Sequence, residues 1–300
     1  MLPYKTVSAL ICSLGCGVRM IVSNPLVSIH WLYENLHQKN LIILDCSWHL
    51  PAHNRDAKAE YELGHIKDAQ FFDLDVISDV SNPLPHMLPK PEDFKKSVEA
   101  MGISNDSLVV LYDGMGVFSS PRVWWMFLVF GVKNIRILNG GLPAWKAQGY
   151  ELETALKKPI PAHFNVFLNT DMIAKMDDIK SATSSGHQII DARPFMRFSG
   201  QAREPRAGLE SGHMPKAHNL PQSDLAKNGL FLESYDLKMA FKLAGVDINV
   251  PVITTCGSGV TAASLTLGMA VLGKPIGKLY DGSWAEWASY DNNIIIKSNV

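Results

Sequence analysis

Cysteine is scarce in this sequence: four in 300 residues, at positions 12, 16, 46 and 256. So few cannot make a disulfide framework, and Cys12 and Cys16 have no second short pair with which to build a zinc site. Excess charge is also missing. With 28 Lys and Arg against 29 Asp and Glu, the net charge is -1, which argues against a nucleic-acid partner or an anionic membrane surface. No apolar run reaches the ~18 residues that suggest a membrane-spanning helix. What remains, 47% hydrophobic and 19% charged side chains, is the composition of a folded globular chain of one large or two ordinary domains. The scarcity of cysteine makes a reducing, cytoplasmic setting the expectation.

Residues 1–22 stand apart. Lys5 followed by a short apolar stretch resembles a signal segment, but no A-x-A-like cleavage site follows it. We read this stretch as an extension outside the folded unit, with translation starting at Met20 as the preferred reading and export as the alternative.

The rest of the chain repeats itself once. Leu41-Ile-Ile-Leu-Asp45 answers Gln188-Ile-Ile-Asp191, Gly64-His-Ile66 answers Gly212-His-Met214, and Leu108-Val-Val-Leu-Tyr112 answers Pro251-Val-Ile-Thr-Thr255. Asn139-Gly140 with Trp145 answers Asp281-Gly282 with Trp287, and the four matches keep the same order. Short apolar strand patterns alternate with helix-length segments, of which 121–130 and 261–272 are the clearest. Pro121 suits a helix's first turn, and Gly131 and Gly273 end the two helices. Such alternation predicts an α/β fold, here two tandem domains, each a mainly parallel sheet with helices on both faces. The predicted boundaries are 23–154 and 165–300, with Pro159, Pro161, Lys157 and Lys158 marking a solvated linker over 155–164.

The sharpest chemical signal is Thr255-Cys-Gly-Ser-Gly-Val-Thr261. A cysteine at the carboxyl end of a predicted strand, followed by Gly-x-Gly and a helix, stands where open α/β sheets bind ligands. Glycines at 257 and 259 let backbone N–H groups turn toward the sulfur, and the helix adds its positive end. Such a setting lowers a thiol pKa toward neutrality and makes thiolate available. Cys46, after a strand but without a glycine loop, reads instead as a small buried hydrophobe. His65 and His213 recur in both copies and read as structural. Trp124, Trp125, Trp284 and Trp287 read as packing, and Asp191 as support for the loop that carries Arg197.

The Cys256-Gly-Ser-Gly-Val-Thr-Ala262 loop resembles that of the 3-mercaptopyruvate sulfurtransferases, a tandem-rhodanese family. The resemblance extends from about Ser23 onward through Asp45-Cys-Ser-Trp48, Phe71-Phe-Asp-Leu-Asp75, His86-Met-Leu-Pro89, Pro121-Arg-Val-Trp-Trp-Met-Phe127, Gly212-His-Met-Pro215 and Tyr280-Asp-Gly-Ser-Trp284. It implies two rhodanese domains, the first silent because Asp113 stands where the second has Cys256. It also implies a Cys256 persulfide whose outer sulfur lies among the N–H groups of Gly257, Ser258, Gly259, Val260 and Thr261. Arg197 and Arg206, nine residues apart, would bind the carboxylate and carbonyl of the donor. Ser258, His86 and Asp75 would relay a proton. Ser199 and Arg203 receive no role, and Pro85, where relatives often have a polar residue, can alter the path of the His86 loop. No metal or organic cofactor is implied, and the acceptor would be a small thiol, reduced thioredoxin or cyanide. Ala262 stands where Cys-x5-Arg phosphatases carry their arginine, which argues against phosphate chemistry. The uncharged Gly257-Ser258 pair argues against thiosulfate as preferred donor. A thiosulfate:cyanide sulfurtransferase and a non-catalytic sulfur carrier remain the alternatives.

Overall fold

The computed structural model describes residues 24–182 and 184–298. The expected N-terminal extension, with Cys12 and Cys16, lies outside the described residues. In the first half, β1 (Leu26–Val27), β2 (Leu41–Asp45), β3 (Ala69–Phe71), β4 (Leu108–Tyr112) and β5 (Ile135–Leu138) form one sheet in the order β1-β5-β4-β2-β3. In the second half come β6 (Ile173–Ala174), β7 (Gln188–Asp191), β8 (Ala217–Asn219), a hairpin of β9 (Ala226–Lys227) and β10 (Leu230–Phe231), then β11 (Val252–Thr255) and β12 (Lys278–Tyr280). Their sheet runs β6-β12-β11-β7-β8, the same order with the hairpin set aside. Every pairing within the two five-stranded sheets is parallel, as expected of short apolar runs joined through helices.

The register fixes the equivalence of the copies. Asp45 pairs with Tyr112 and Asp191 with Thr255. The next residue of each strand then repeats the same bond: Cys46 N–H donates to Tyr112 O at 2.8 Å and Ala192 N–H to Thr255 O at 2.9 Å. Asp113 and Cys256 therefore leave the two sheets at the same point.

Helices Ser120–Val129 and Ala262–Val271 follow those loops and pack against each other between the sheets. Neither has a polar face, and all ten residues of the first are buried, because each is covered by its own sheet on one side and by the other helix on the other. The apolar cluster around them runs unbroken from Leu44 to Leu279 across both halves, and smaller clusters cover the outer faces of the sheets. Gly131 (φ +92°) and Gly273 (φ +65°) close the two helices. In each, the residue beyond glycine donates back to the last turn, Val132 N–H to Phe127 O and Lys274 N–H to Met269 O, both at 2.9 Å. Residues 155–164 contain neither helix nor strand, but Phe164 is buried in the central cluster.

The halves cover each other reciprocally. The segment after β3 carries Asp75 and His86 onto the Cys256 loop, as its hydrogen bonds to the second half require. The segment after β8 carries the β9–β10 hairpin onto the Asp113 loop, where Gln222 Nε2 donates to Val117 O at 3.1 Å and Phe231 N–H to Asn139 Oδ1 at 2.8 Å. The sequence signals this hairpin through Asn228-Gly229, both left-handed and well matched to a tight β-turn.

Candidate active site

β11 is buried along its whole length, so its functional groups emerge only at its carboxyl end. There Cys256 is 2% exposed, at the margin of the central apolar cluster. The loop's carbonyls are tied to the helix that follows β12: Trp284 N–H donates to Cys256 O at 2.9 Å and Ala285 N–H to Gly257 O at 3.0 Å. Ser283, in a left-handed conformation, takes the Cys256 N–H on its Oγ at 3.2 Å and donates to Tyr280 O. Among the described residues, the N–H groups of Gly257, Ser258, Gly259, Val260 and Thr261 donate to no protein acceptor. Gly259 is required here. It has φ +78°, and a Cβ would lie 3.0 Å from both Arg122 Nη1 and Asp281 O.

The first domain indicates what such a loop holds. The Asp113 Oδ2 accepts from the N–H groups of Phe118, Ser119 and Ser120 at 2.7, 3.1 and 3.0 Å, and from Ser120 Oγ at 2.7 Å. Its Oδ1 accepts from Met115 N–H at 2.9 Å. The loop of the first copy thus converges on an anion, and that anion is its own side chain. In the second copy the side chain at this point is a thiol, and the donors stay unpaired among the described residues.

Two arginines lie against the Cys256 loop. A Cβ on Gly257 would come within 3.1 Å of Arg197 Nη2 and 3.9 Å of Arg206 Nη1. Arg206 is half-buried and makes no hydrogen bond or ion pair among the described residues. Burial, and Arg197 beside it, lower its pKa against the opposing pull of Cys256 and Glu204. Arg197 is held by Glu204, its Nε donating to Oε1 at 3.2 Å and its Nη2 to Oε2 at 2.5 Å. Glu204 in turn accepts from Arg193 Nη1 at 2.9 Å. Arg193 is gripped by Asp191 through Nε and Nη2, the latter at 2.7 Å, and lies 4.1 Å above the Trp284 ring. Burial opposes its charge, but Asp191 and Glu204 outweigh burial and raise its pKa. Asp191 therefore supports the Arg197 loop through a chain of alternating charges, in which Arg193 and Glu204 escaped the sequence analysis.

The three residues expected to relay a proton also meet. Ser258 Oγ lies 3.0 Å from His86 Nδ1, and His86 Nε2 lies 3.1 Å from Asp75 Oδ1. His86 and Ser258 are buried, whereas the Asp75 side chain is 65% exposed. The hydrogen bond from His86 holds the Asp75 carboxyl below its ordinary pKa, with burial opposing. Trp48, whose motif suggested no role, donates its indole N–H to Asp75 Oδ1 at 3.1 Å and sets its ring edge-on to His86. Val260 is buried in the loop, and the Thr261 hydroxyl makes no hydrogen bond among the described residues.

Residues outside the site behave as their recurrence suggests. His65 Nδ1 bonds Tyr61 O and the ring stacks on Tyr61; His213 Nδ1 bonds Phe198 O and stacks on Phe198. Ser199 is buried, and Arg203 is exposed. Among the described residues no cluster of three or more His, Cys, Asp or Glu could hold a metal ion.

The rhodanese-like domain family matches residues 28–148 and 173–290. The 3-mercaptopyruvate sulfurtransferase of Escherichia coli K12 is 40% identical over 265 residues, spanning 88% of this chain and 94% of that protein. Thiosulfate/3-mercaptopyruvate sulfurtransferase 1 of Arabidopsis thaliana is 40% identical over 290 residues, spanning 89% of this chain and 76% of that one. The crystal structure of SseA from Escherichia coli superposes with a TM-score of 0.80 at 38% identity, covering 87% of this chain and 99% of that chain. Every strand of the two duplicated sheets except β1 lies within the two matched rhodanese-like spans, and relatives 40% identical cover most of the chain, so the chain belongs to the tandem-rhodanese family of thiosulfate/3-mercaptopyruvate sulfurtransferases.

Proposed function

We propose that this chain moves the sulfur of 3-mercaptopyruvate through a Cys256 persulfide to a thiol acceptor and releases pyruvate. The observation that carries this reading is the loop itself: a cysteine at the end of β11, unpaired N–H groups from Gly257 to Thr261, and the unpaired Arg206 beside them. A guanidinium fork suits the donor's carboxylate and carbonyl and opposes the charge of an enolate.

The chemistry balances without an added oxidant or reductant. The Cys256 thiolate attacks the thiol sulfur of the donor, a sulfur–sulfur bond forms and the carbon–sulfur bond breaks. The released electron pair stays on carbon as pyruvate enolate. The proton of the donor's thiol passes by way of Ser258 and His86 to that carbon, leaving pyruvate and an anionic persulfide. Loop amides hold the outer sulfur as the Asp113 Oδ2 is held in the first domain. The Cys256 Sγ has no hydrogen-bond partner among the described residues, so the relay serves the bound donor and not the resting thiol. An acceptor thiolate, from a small thiol or reduced thioredoxin, then takes the outer sulfur and restores Cys256. Two half-reactions through a covalent enzyme give ping-pong kinetics.

Names among the relatives include both donors, and the competing reading is thiosulfate as the better one. The loop offers no cation at Gly257 or Ser258 for a dianion. Measured in one assay with one acceptor, kcat/KM is expected to favour 3-mercaptopyruvate. A clear preference for thiosulfate would reverse the assignment of donor.

A further inference from the structure

The mechanism above leaves one buried ion pair unused. Arg122, in the first-domain helix, is fully buried, and the carboxylate that neutralises it, Asp281, belongs to the second domain at 2.7 Å from Nη2. A buried guanidinium is costly unless its partners are well placed, and two of the groups it reaches, the carbonyls of His86 and Gly259, belong to the site. Its Nη2 N–H donates to the His86 carbonyl, and Nη1 reaches the Gly259 carbonyl at 3.5 Å. The guanidinium also lies 4.7 Å above the Trp125 ring. Asp281 completes the frame by accepting the Leu88 N–H on Oδ2 at 2.8 Å. The pair therefore grips the chain at His86 and again two residues later. His86 itself sits at φ +59°, a left-handed conformation that a residue with a Cβ keeps only where its surroundings hold it. Gly259 leaves the room that Arg122 occupies, since a Cβ there would stand 3.0 Å from Nη1.

We propose that Arg122 and Asp281 are positioning residues that hold the first domain's His86 in hydrogen-bond reach of the second domain's Ser258. The proposal rests on the relay reading of Ser258, His86 and Asp75. One ion pair spans the two domains and touches the backbone at the His86 carbonyl and at the Leu88 N–H that follows it, so relay geometry and domain docking are set by the same contacts. Displacement of a proton-transfer group by an ångström costs a large part of its effect on rate, whereas donor binding through Arg197 and Arg206 does not pass through this pair.

The test is a double-mutant cycle with 3-mercaptopyruvate. Arg122→Lys keeps a cation for Asp281 but not the planar fork that also reaches the His86 carbonyl. It is expected to lower kcat at least tenfold with KM for the donor unchanged. In a His86→Ala background the same substitution is expected to cost nothing further, because a residue acting through His86 has nothing left to position. An unchanged kcat in Arg122→Lys, or an equal loss with and without His86, overturns the proposal. If Arg122→Lys does not fold, Asp281→Asn, which keeps an acceptor for Leu88, takes its place in the cycle under the same criteria. His86→Ala alone separates the two layers. Full kcat there removes the relay and this proposal together, whereas a loss there without one in Arg122→Lys removes only the positioning role.

Discussion

The loop of the first domain should be as dependent on Asp113 as the second is on an incoming sulfur. In Asp113→Ala the carboxylate that accepts five hydrogen bonds disappears. Met115 is 37% exposed, so its N–H regains water at little cost. The four donors on Oδ2 are deeper, and each one left dry costs about 1–3 kcal/mol. Removal of a buried negative charge gives part of that back. The balance is a loss of about 3–4 kcal/mol, a large share of the roughly 5–15 kcal/mol that a folded protein has in hand. Asp113→Asn, with one good acceptor and an amide turned against N–H donors, should fall between, at about 1–2 kcal/mol. Urea unfolding at neutral pH measures both, and kcat/KM with 3-mercaptopyruvate, assayed well below the unfolding transition, should stay near wild type because the hydrogen bonds of Asp113 all lie within the first-domain loop and none reaches the Cys256 loop. A stability of Asp113→Ala within about 1 kcal/mol of wild type would refute the view that this carboxylate fills an anion cradle.

Other consequences concern the relay and the buried acids. Because Asp75 is largely exposed, water screens its interaction with His86. Asp75→Asn should therefore lower kcat by about tenfold at most, against the roughly 10²–10⁴ that a proton-transfer group supplies and that His86→Ala should forfeit. Equal losses would contradict this ordering. Asp45 offers a pH test. Burial, against hydrogen bonds from Ser47 and Tyr112, raises its carboxyl pKa from 3.8 to about 6. The folded state thus holds the proton more tightly than the unfolded chain. Its stabilisation is complete below pH 3.8 and is lost as pH rises through about 6, an effect of about 3 kcal/mol at most. In urea unfolding, Asp45→Asn should gain stability relative to wild type between pH 4 and 7; a difference that does not change with pH would contradict it.

The duplicated fold was legible because its strands are short apolar runs closed by an acid or a glycine loop, and the copies keep the same punctuation. Cys256, the Asp113 equivalence and the helix ends at Gly131 and Gly273 all follow from that local pattern. The site's supports do not. His86 and Ser258 are 172 residues apart, and nothing periodic or local joins them; only resemblance selected His86 from ten histidines. Glu204 and Arg193 look like ordinary loop charges until the fold buries them together. Arg122 sits in an apolar helix where a sequence reading sees only packing, and its partner Asp281 comes from the other copy. Contacts across a domain interface leave no imprint on the segments that make them.

The proposed transfer requires a sulfur carried by one residue, Cys256. Intact-mass measurement after exposure to 3-mercaptopyruvate without acceptor tests this most directly. Wild type should gain one sulfur atom per chain and release one pyruvate, lose the sulfur when a thiol is added, and show neither gain nor pyruvate once Cys256 is replaced by serine. A sulfur gained by the serine variant, or pyruvate turned over without any gain in wild type, would contradict it.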